Sequence, residues 1–433
     1  MLKVLDLRAA AGRPGRERID RFGRDLPRPT AATAPPTEAV AAILADVRAR
    51  GDAALREYTR RFDGAGIDTI RVPESELDAA VAASPADLLD ALVVARESIT
   101  AFQRSTLPKA TDYERAGIRI RQQWRPVERA GCYVPGGLAA YPSSVLMTAI
   151  PALVAGVDEV ALCAPPRADG HVPACVLAAA SIAGVREVYR IGGVQAIAAL
   201  AYGTASVPRA DVIVGAGNIH VATAKRLVSG VVGVPSSFAG PSEVVVIADD
   251  TTPVDHAAID VIVQAEHGPD GLAWLVTWSA GAAARINDRI GELVATSARR
   301  EAIEATLHDG GYAVIVDDAA AAMDVANAIA PEHLELLIAD ADSLIPQVRN
   351  AGAVFAGINS PASAGDYIAG PSHVLPVYGS ARFAGALGVF DFLRDQHIIE
   401  LDRDGLASAA PHIVAIATAE GLDAHAQSVL IRQ

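Results

Sequence analysis

Asp211-Val212-Ile213-Val214-Gly215-Ala216-Gly217-Asn218 decides the fold: an apolar run of strand length breaks at two glycines and gives way to a helical pattern from Ile219 to Ser229. The same unit recurs upstream. Gly131-Cys-Tyr-Val leads through Pro135-Gly-Gly into a helix from about Ser143, and Glu159-Val-Ala-Leu-Cys precedes a helix near His171 to Ala183. Glu187-Val-Tyr-Arg-Ile then precedes Gly192-Gly193 and a helix from Gln195 to Tyr202. Strand starts fall about every 25 to 30 residues, the period of a βαβ unit with a parallel sheet. Glycine turns of this kind place backbone N–H groups and a positive helix end where a phosphate can sit. The pair Gly215-x-Gly217 is a weak signal alone. It lacks the third glycine of the dinucleotide fingerprint, and no acidic residue ends a later strand, so a strict Rossmann assignment is excluded. Gln195 opens its helix with an amide able to bond ribose or amide groups, although glycines that merely permit tight turns account for the pattern equally well.

Outward from this core, Glu243-Val-Val-Val-Ile-Ala begins a second sheet after a Gly240-Pro241 break, and Ala273-Trp-Leu-Val-Thr and Tyr312-Ala-Val-Ile-Val extend it. The segment before Pro27 is basic and polar, and Pro27 to Pro36 reads as a linker. Helices are expected from Glu38 to Arg61 and from Glu74 to Thr106, where apolar residues recur at three- and four-residue spacing. Their arginines read as solvated surface. After Leu387 come a short strand, His397-Ile-Ile-Glu-Leu, and helices interrupted at Pro411, in a tail too short to fold alone. The expected fold is α/β: two incomplete Rossmann-like parallel-sheet domains with small N- and C-terminal elements. The boundaries are an arm at 1–28, a first domain from 29–130 with 242–387, a second at 131–241, and a tail at 388–433.

Composition narrows the function. The chain's 433 residues are 51% hydrophobic, enough for roughly three domains with packed cores. A net charge of −14 disfavours nucleic acid and anionic membrane as main partners. Three cysteines, Cys132, Cys163 and Cys175, form neither a disulfide framework nor a zinc-binding spacing. The N-terminus is charged within its first eight residues, and the most apolar segment, Val145 to Val157, is short and contains Pro151. A cytoplasmic location is expected.

Four blocks carry chemistry. In Asp260-Val-Ile-Val-Gln264-Ala-Glu266-His267-Gly268-Pro269-Asp270, Gln264 and His267 are three residues apart, which on a helix puts both on one face as two ligands of one ion require. Thr252 is the expected N-cap, Pro253 the first helical residue, and Gly268-Pro269 the stop. Ala330-Pro331-Glu332-His333 sets a carboxylate beside an imidazole at a turn, suited to acid/base work. The Gly-, Pro- and Ser-rich stretch from Ser360 to Pro376 carries Asp366 and His373, and a loop that long is usually functional or disordered. Ala419-Glu420-Gly-Leu-Asp-Ala-His425 opens the last helix. His171, His256, His308, His397 and His412 have no second polar partner in view and read as surface or core residues, while His220 beside the glycine turn stays open.

Those blocks, in this order and over nearly the whole chain, resemble the histidinol dehydrogenase family. The resemblance implies a four-electron, NAD-dependent oxidation of L-histidinol to L-histidine through the aldehyde, in the last steps of histidine biosynthesis. It implies zinc held by Gln264, His267, Asp366 and His425. Glu332 is implied as the base that activates water and His333 as the acceptor of the alcohol proton. Substrate contacts are implied at Ser242, Gln264, His267, His333, Asp366, His373, Glu420 and His425. NAD contacts fall on Tyr133, Gln195 and Asn218. Where the family commonly has Gly-Pro-Gly-Asn, this chain has Gly215-Ala216-Gly217-Asn218 and keeps both glycines and the asparagine. The resemblance also implies an intertwined homodimer whose tail completes the partner's site. Two other classes use some of the same residues: a hydrolase in which zinc activates water, and a noncatalytic metal- or nucleotide-binding module.

Overall fold

The computed structural model describes residues 1–9, 15–27, 35–136, 139–235, 242–267 and 271–433, the side chain of His267 excepted. The expected linker after Pro27, the Gly240-Pro241 break and the Gly268-Pro269 helix stop lie largely or wholly outside the described residues.

Lys3–Asp6, Gly311–Ile315, Leu272–Thr277, Glu243–Ala248, His333–Leu337 and Ala353–Ala356 lie side by side in that order, all parallel. The N-terminal segment is therefore an edge strand of the larger sheet. Successive residues of a strand face opposite ways, and each face here is covered. Val245, Ile247, Trp274 and Val314 pack under the Gly15–Arg24 and Ala319–Ile329 helices. Val244, Val246, Leu275 and Ala313 pack under Val254–Val263, Ala280–Thr296 and Arg300–Gly310. Burial on both faces is why Glu243-Val-Val-Val-Ile-Ala reads as a continuous apolar run.

A smaller parallel sheet runs Glu187–Tyr189, Glu159–Cys163, Arg129–Tyr133, Val212–Val214. Its strand order reverses between Arg129–Tyr133 and Val212–Val214, and in open α/β sheets ligands bind at the carboxyl ends beside such a reversal. Pro142–Ala155 and Ala174–Ala183 cover one face, Gly193–Tyr202 and Ile219–Val228 the other. Residues 37–105, grouped above with the larger domain, instead pack around this smaller sheet: Glu74–Ala83 and Ala86–Ser105 outside the first pair of helices, Thr37–Arg50 and Asp52–Phe62 outside the second. Both long helices expected there are split. Gly51 takes a φ of 56°, and Pro85 lacks an N–H and forces Ser84 into an extended conformation.

The antiparallel pairing of Leu393–Leu401 with Ile118–Pro126, and of that strand with Thr111–Arg115, was not legible in the sequence beyond its His397–Leu401 end. It anchors the tail, whose helices Arg403–Ala419 and Asp423–Leu430 pack on each other. The first of these runs through Pro411 where an interruption was expected. Pro411 and Ala407, whose carbonyl loses its partner, are both exposed, so water can satisfy that oxygen. Among the described residues no helix is long and apolar enough to cross a membrane.

Candidate active site

Glu332 and His333 sit at the amino end of a central strand of the larger sheet. The Ala319–Ile329 helix stops at Ala330, whose φ is 56°; Pro331 follows, and His333 is the first strand residue. The pair was expected at a turn, yet His333 is paired in register with Val244 and Ala353 and is only 2% exposed. Phe355 on the next strand lies nearly parallel to its ring, centroids 5.9 Å apart, and fixes the ring plane.

Around this ring the charges are almost all negative. Glu332 Oε2 lies 3.7 Å from His333 Nδ1, and Asp366 Oδ1 lies 3.4 Å from Nε2. Neither ring nitrogen makes a well-formed hydrogen bond among the described residues, so the imidazole is free to take a proton from a bound molecule. Glu332 is held by the Glu243 N–H, 3.0 Å from its Oε2. Burial pushes the Glu332 carboxyl up to about 7, against the nearby His333 charge and that N–H, which favour the charged form. Burial works to lower His333, but the Glu332 and Asp366 carboxylates outweigh it and raise the imidazole above its ordinary value. Glu335 shares His333's strand face and is fully buried; burial first, then the Asp260 carboxylate, drives its pKa well up.

The helix carrying Gln264 ends sooner than expected. It spans Val254–Val263, with Gln264 as C-cap and Ala265–His267 as a 3-10 turn. Thr252 does not cap it: its hydroxyl donates to the Leu337 carbonyl and accepts from the Asp249 N–H. Gln264 is buried, but the His267 side chain lies outside the described residues, so their common face is not settled. Asp366 projects from a short helix, Ala362–Tyr367, inside the expected long loop. His373 Nδ1 donates to the Asp366 carbonyl at 2.9 Å, which leaves Nε2 of the neutral ring to accept from Ser144 Oγ at 3.1 Å. Ser242 directly precedes the Glu243–Ala248 strand. His333, Asp366 and His373 line one cavity of about 460 Å³.

Zinc is tested by the donor set. Glu332 and Asp366 have no lysine or arginine partner among the described residues, a local excess of carboxylate that suits a divalent cation, while Glu335 and Asp260 form a proton-sharing pair behind them. Gln264 and Asp366 supply oxygen donors there. The described residues of one chain bring together no group of three His, Cys, Asp or Glu able to hold an ion. Glu420, the C-cap of Arg403–Ala419, and His425, on the following helix, are exposed, and none of the described tail residues lines this cavity.

Tyr133, Gln195 and Asn218 do converge. They line a second cavity, of about 640 Å³, at the carboxyl ends of the smaller sheet. The buried Gln195 amide has neither atom bonded within the described protein, which fits a bound polar ligand. Asn218 caps its helix by accepting from the His220 and Val221 N–H groups, each at 3.1 Å. Gly215 has a φ of 112°, and a Cβ there would lie 2.0 Å from the Tyr133 carbonyl oxygen. Beneath this turn the buried Lys225 Nζ donates to the Gly215 carbonyl at 2.8 Å, and burial pulls its pKa down to about 8. Lys225, Glu335 and Asp63 were not singled out in the sequence. Glu335 could have been, since a carboxylate two residues beyond His333 on a strand faces the same way.

The family model for histidinol dehydrogenase matches residues 26–433. The chain belongs to the histidinol dehydrogenase family. It is 47% identical over 388 residues to a histidinol dehydrogenase from Parasynechococcus marenigrum, covering 89% of each chain. A histidinol dehydrogenase from Rhizobium meliloti is also 47% identical, over 396 residues and 91% of each chain. The crystal structure of histidinol dehydrogenase from Elizabethkingia anophelis superposes with a TM-score of 0.93 at 31% identity, covering 100% of this chain and 98% of that one. The resemblance drawn from the four blocks is thus borne out, and so is a mixed α/β fold with parallel sheets.

Proposed function

We propose that the protein oxidises L-histidinol to L-histidine in two NAD-dependent steps through the aldehyde, completing histidine biosynthesis. Family membership supports the substrate, and the observation that carries the chemistry is a buried imidazole flanked by two carboxylates, neither of its ring nitrogens in a well-formed hydrogen bond among the described residues. In the first step the substrate hydroxyl gives its proton to His333 as a hydride leaves the same carbon. The enclosing walls of Phe355 and the strand keep the ring oriented and water away. In the second step Glu332, poised near neutrality, takes a proton from water as the water oxygen adds to the aldehyde carbon; the hydrate anion so formed loses a second hydride to give the carboxylic acid, which releases its remaining proton to solvent as the carboxylate. When bound, the nicotinamide supplies the hydride acceptor for both steps and zinc supplies a Lewis-acid anchor for the substrate's nitrogens.

The cofactor reading rests on the cavity of Tyr133, Gln195 and Asn218. Gln264, His267 and Asp366 are the proposed zinc ligands from one chain, with Ser242 and His373 as substrate contacts. His425 and Glu420 are proposed to reach the site of the other subunit in a cytoplasmic homodimer. The exposed apolar residues of the tail, Ile399, Ile416 and Ile431, support such packing.

Purified protein incubated with L-histidinol and NAD tests the reading through NADH absorbance. Steady NADH formation is expected. Hydrolysis of an ester or amide with no NADH formed would place the chain's chemistry in the hydrolase class instead.

A further inference from the structure

The smaller sheet lacks the acidic residue that usually ends a strand of a dinucleotide-binding fold and bonds a ribose hydroxyl. A carboxylate from outside that sheet reaches the cavity. Asp63 follows the Asp52–Phe62 helix as its C-cap and lines the same cavity as Tyr133, Gln195 and Asn218. Its Oδ2 is sealed from solvent and has no hydrogen-bonding partner among the described residues. Asp52, at the other end of that helix, shows the contrast: Ser206 satisfies it through its N–H at 3.2 Å and its hydroxyl at 2.5 Å. Burial pushes the Asp63 carboxyl up to about 6, so it is charged above that pH and short of donors. A carboxylate accepts hydrogen bonds only, and leaving it half-buried and unpaired is costly. Hydroxyl donors from a ligand in the cavity, meeting the carboxylate at Oδ1, which is not sealed, would relieve that cost. The neighbouring Phe62, 53% exposed, lines the same cavity and offers an aromatic face suited to a purine.

We infer that Asp63 is a specificity-determining residue that accepts hydrogen bonds from the adenosine ribose of NAD and repels a 2′-phosphate at the same place. The inference rests on the reading of this cavity as the dinucleotide site. The exposed Arg167 also lines it and could attract a phosphate, so preference for NAD over NADP is a direct contest between the two side chains.

Calorimetric titration of the metal-loaded protein with NAD, NADP and 2′-deoxy-NAD decides it, apart from any turnover. Wild type is expected to bind NAD on the order of tenfold or more tightly than either alternative, the effect of a charge-assisted hydrogen bond. Asp63→Asn should lose about that factor for NAD, narrow the NAD-to-NADP ratio by at least as much, and cease to distinguish NAD from 2′-deoxy-NAD. An unchanged ratio in the variant, or equal binding of NAD and 2′-deoxy-NAD by wild type, would overturn the role of Asp63 while leaving the cavity assignment standing. The 2′-deoxy comparison needs no variant and so survives a folding defect in Asp63→Asn. Failure of wild type to bind NAD would overturn the cavity assignment and this inference together.

Discussion

His373 Nε2 lies 3.1 Å from Ser144 Oγ, so a histidine from the larger domain is held by the first helix over the smaller sheet. The same ring is fixed on its other side by the Asp366 carbonyl. With Ser372, whose hydroxyl donates to the Met147 carbonyl at 3.0 Å, and Val374, buried in the core of the smaller sheet, this ring ties the proposed substrate contact to the domain proposed to hold NAD.

Replacing Ser144 by alanine removes that link without touching the proposed proton acceptors. A neutral hydrogen bond contributes about 1 kcal/mol, so KM for histidinol should rise about fivefold with kcat nearly unchanged. Steady-state kinetics check this, and a fall in kcat with constant KM would assign Ser144 a different part in the reaction.

Glu332 must be charged to accept a proton from water, and burial holds its pKa at about 7. Oxidation of histidinal supplied as substrate should therefore rise as pH passes through 7 and level off above. Glu332→Gln should lose that limb and slow the step by about 100-fold or more, while oxidation of histidinol to the aldehyde suffers far less. Equal losses in both steps would contradict the division of labour between Glu332 and His333.

The raised pKa of Glu335 has a consequence for stability. Folding raises it above the unfolded value through burial and the Asp260 charge, so the folded chain binds the proton more tightly. Its contribution is then full below the ordinary glutamate range and is lost as pH rises toward the folded pKa. Glu335→Gln keeps the shape of the neutral acid, and its Tm should fall less than that of wild type between pH 6 and 9. Parallel Tm curves would show that the pair does not titrate in this window.

Strands and glycine turns of the smaller sheet were legible because burial on both faces and a repeating βαβ period leave strong marks in sequence. The convergence of Tyr133, Gln195 and Asn218 could be read only through the family resemblance, since three separate strand-to-helix turns supply them. The strands Thr111–Arg115 and Ile118–Pro126 were missed because the first is wholly exposed and the second only half-buried, and the apolar alternation of Ile118-Arg-Ile-Arg lasts four residues before two glutamines end it. Asp63 left no mark at all: its place on the cavity wall follows from helix packing some 70 residues away from the nearest cavity strand residue, Tyr133. Pro411 misled because the helix runs through it at an exposed position, where the freed Ala407 carbonyl is open to water.

The tail offers a test of the subunit arrangement. An inactive His425→Asn chain mixed with an inactive His333→Asn chain should recover activity, up to about half of wild type per heterodimer, because one site then carries both lesions and the other neither. Verified heterodimers that stay inactive would confine the site to one chain.

The central claim is a four-electron oxidation at a single site, and its stoichiometry tests it most directly. With limiting L-histidinol and excess NAD, the account predicts two NADH formed and one L-histidine produced per histidinol consumed, with little free aldehyde. One NADH per histidinol with histidinal accumulating would contradict it.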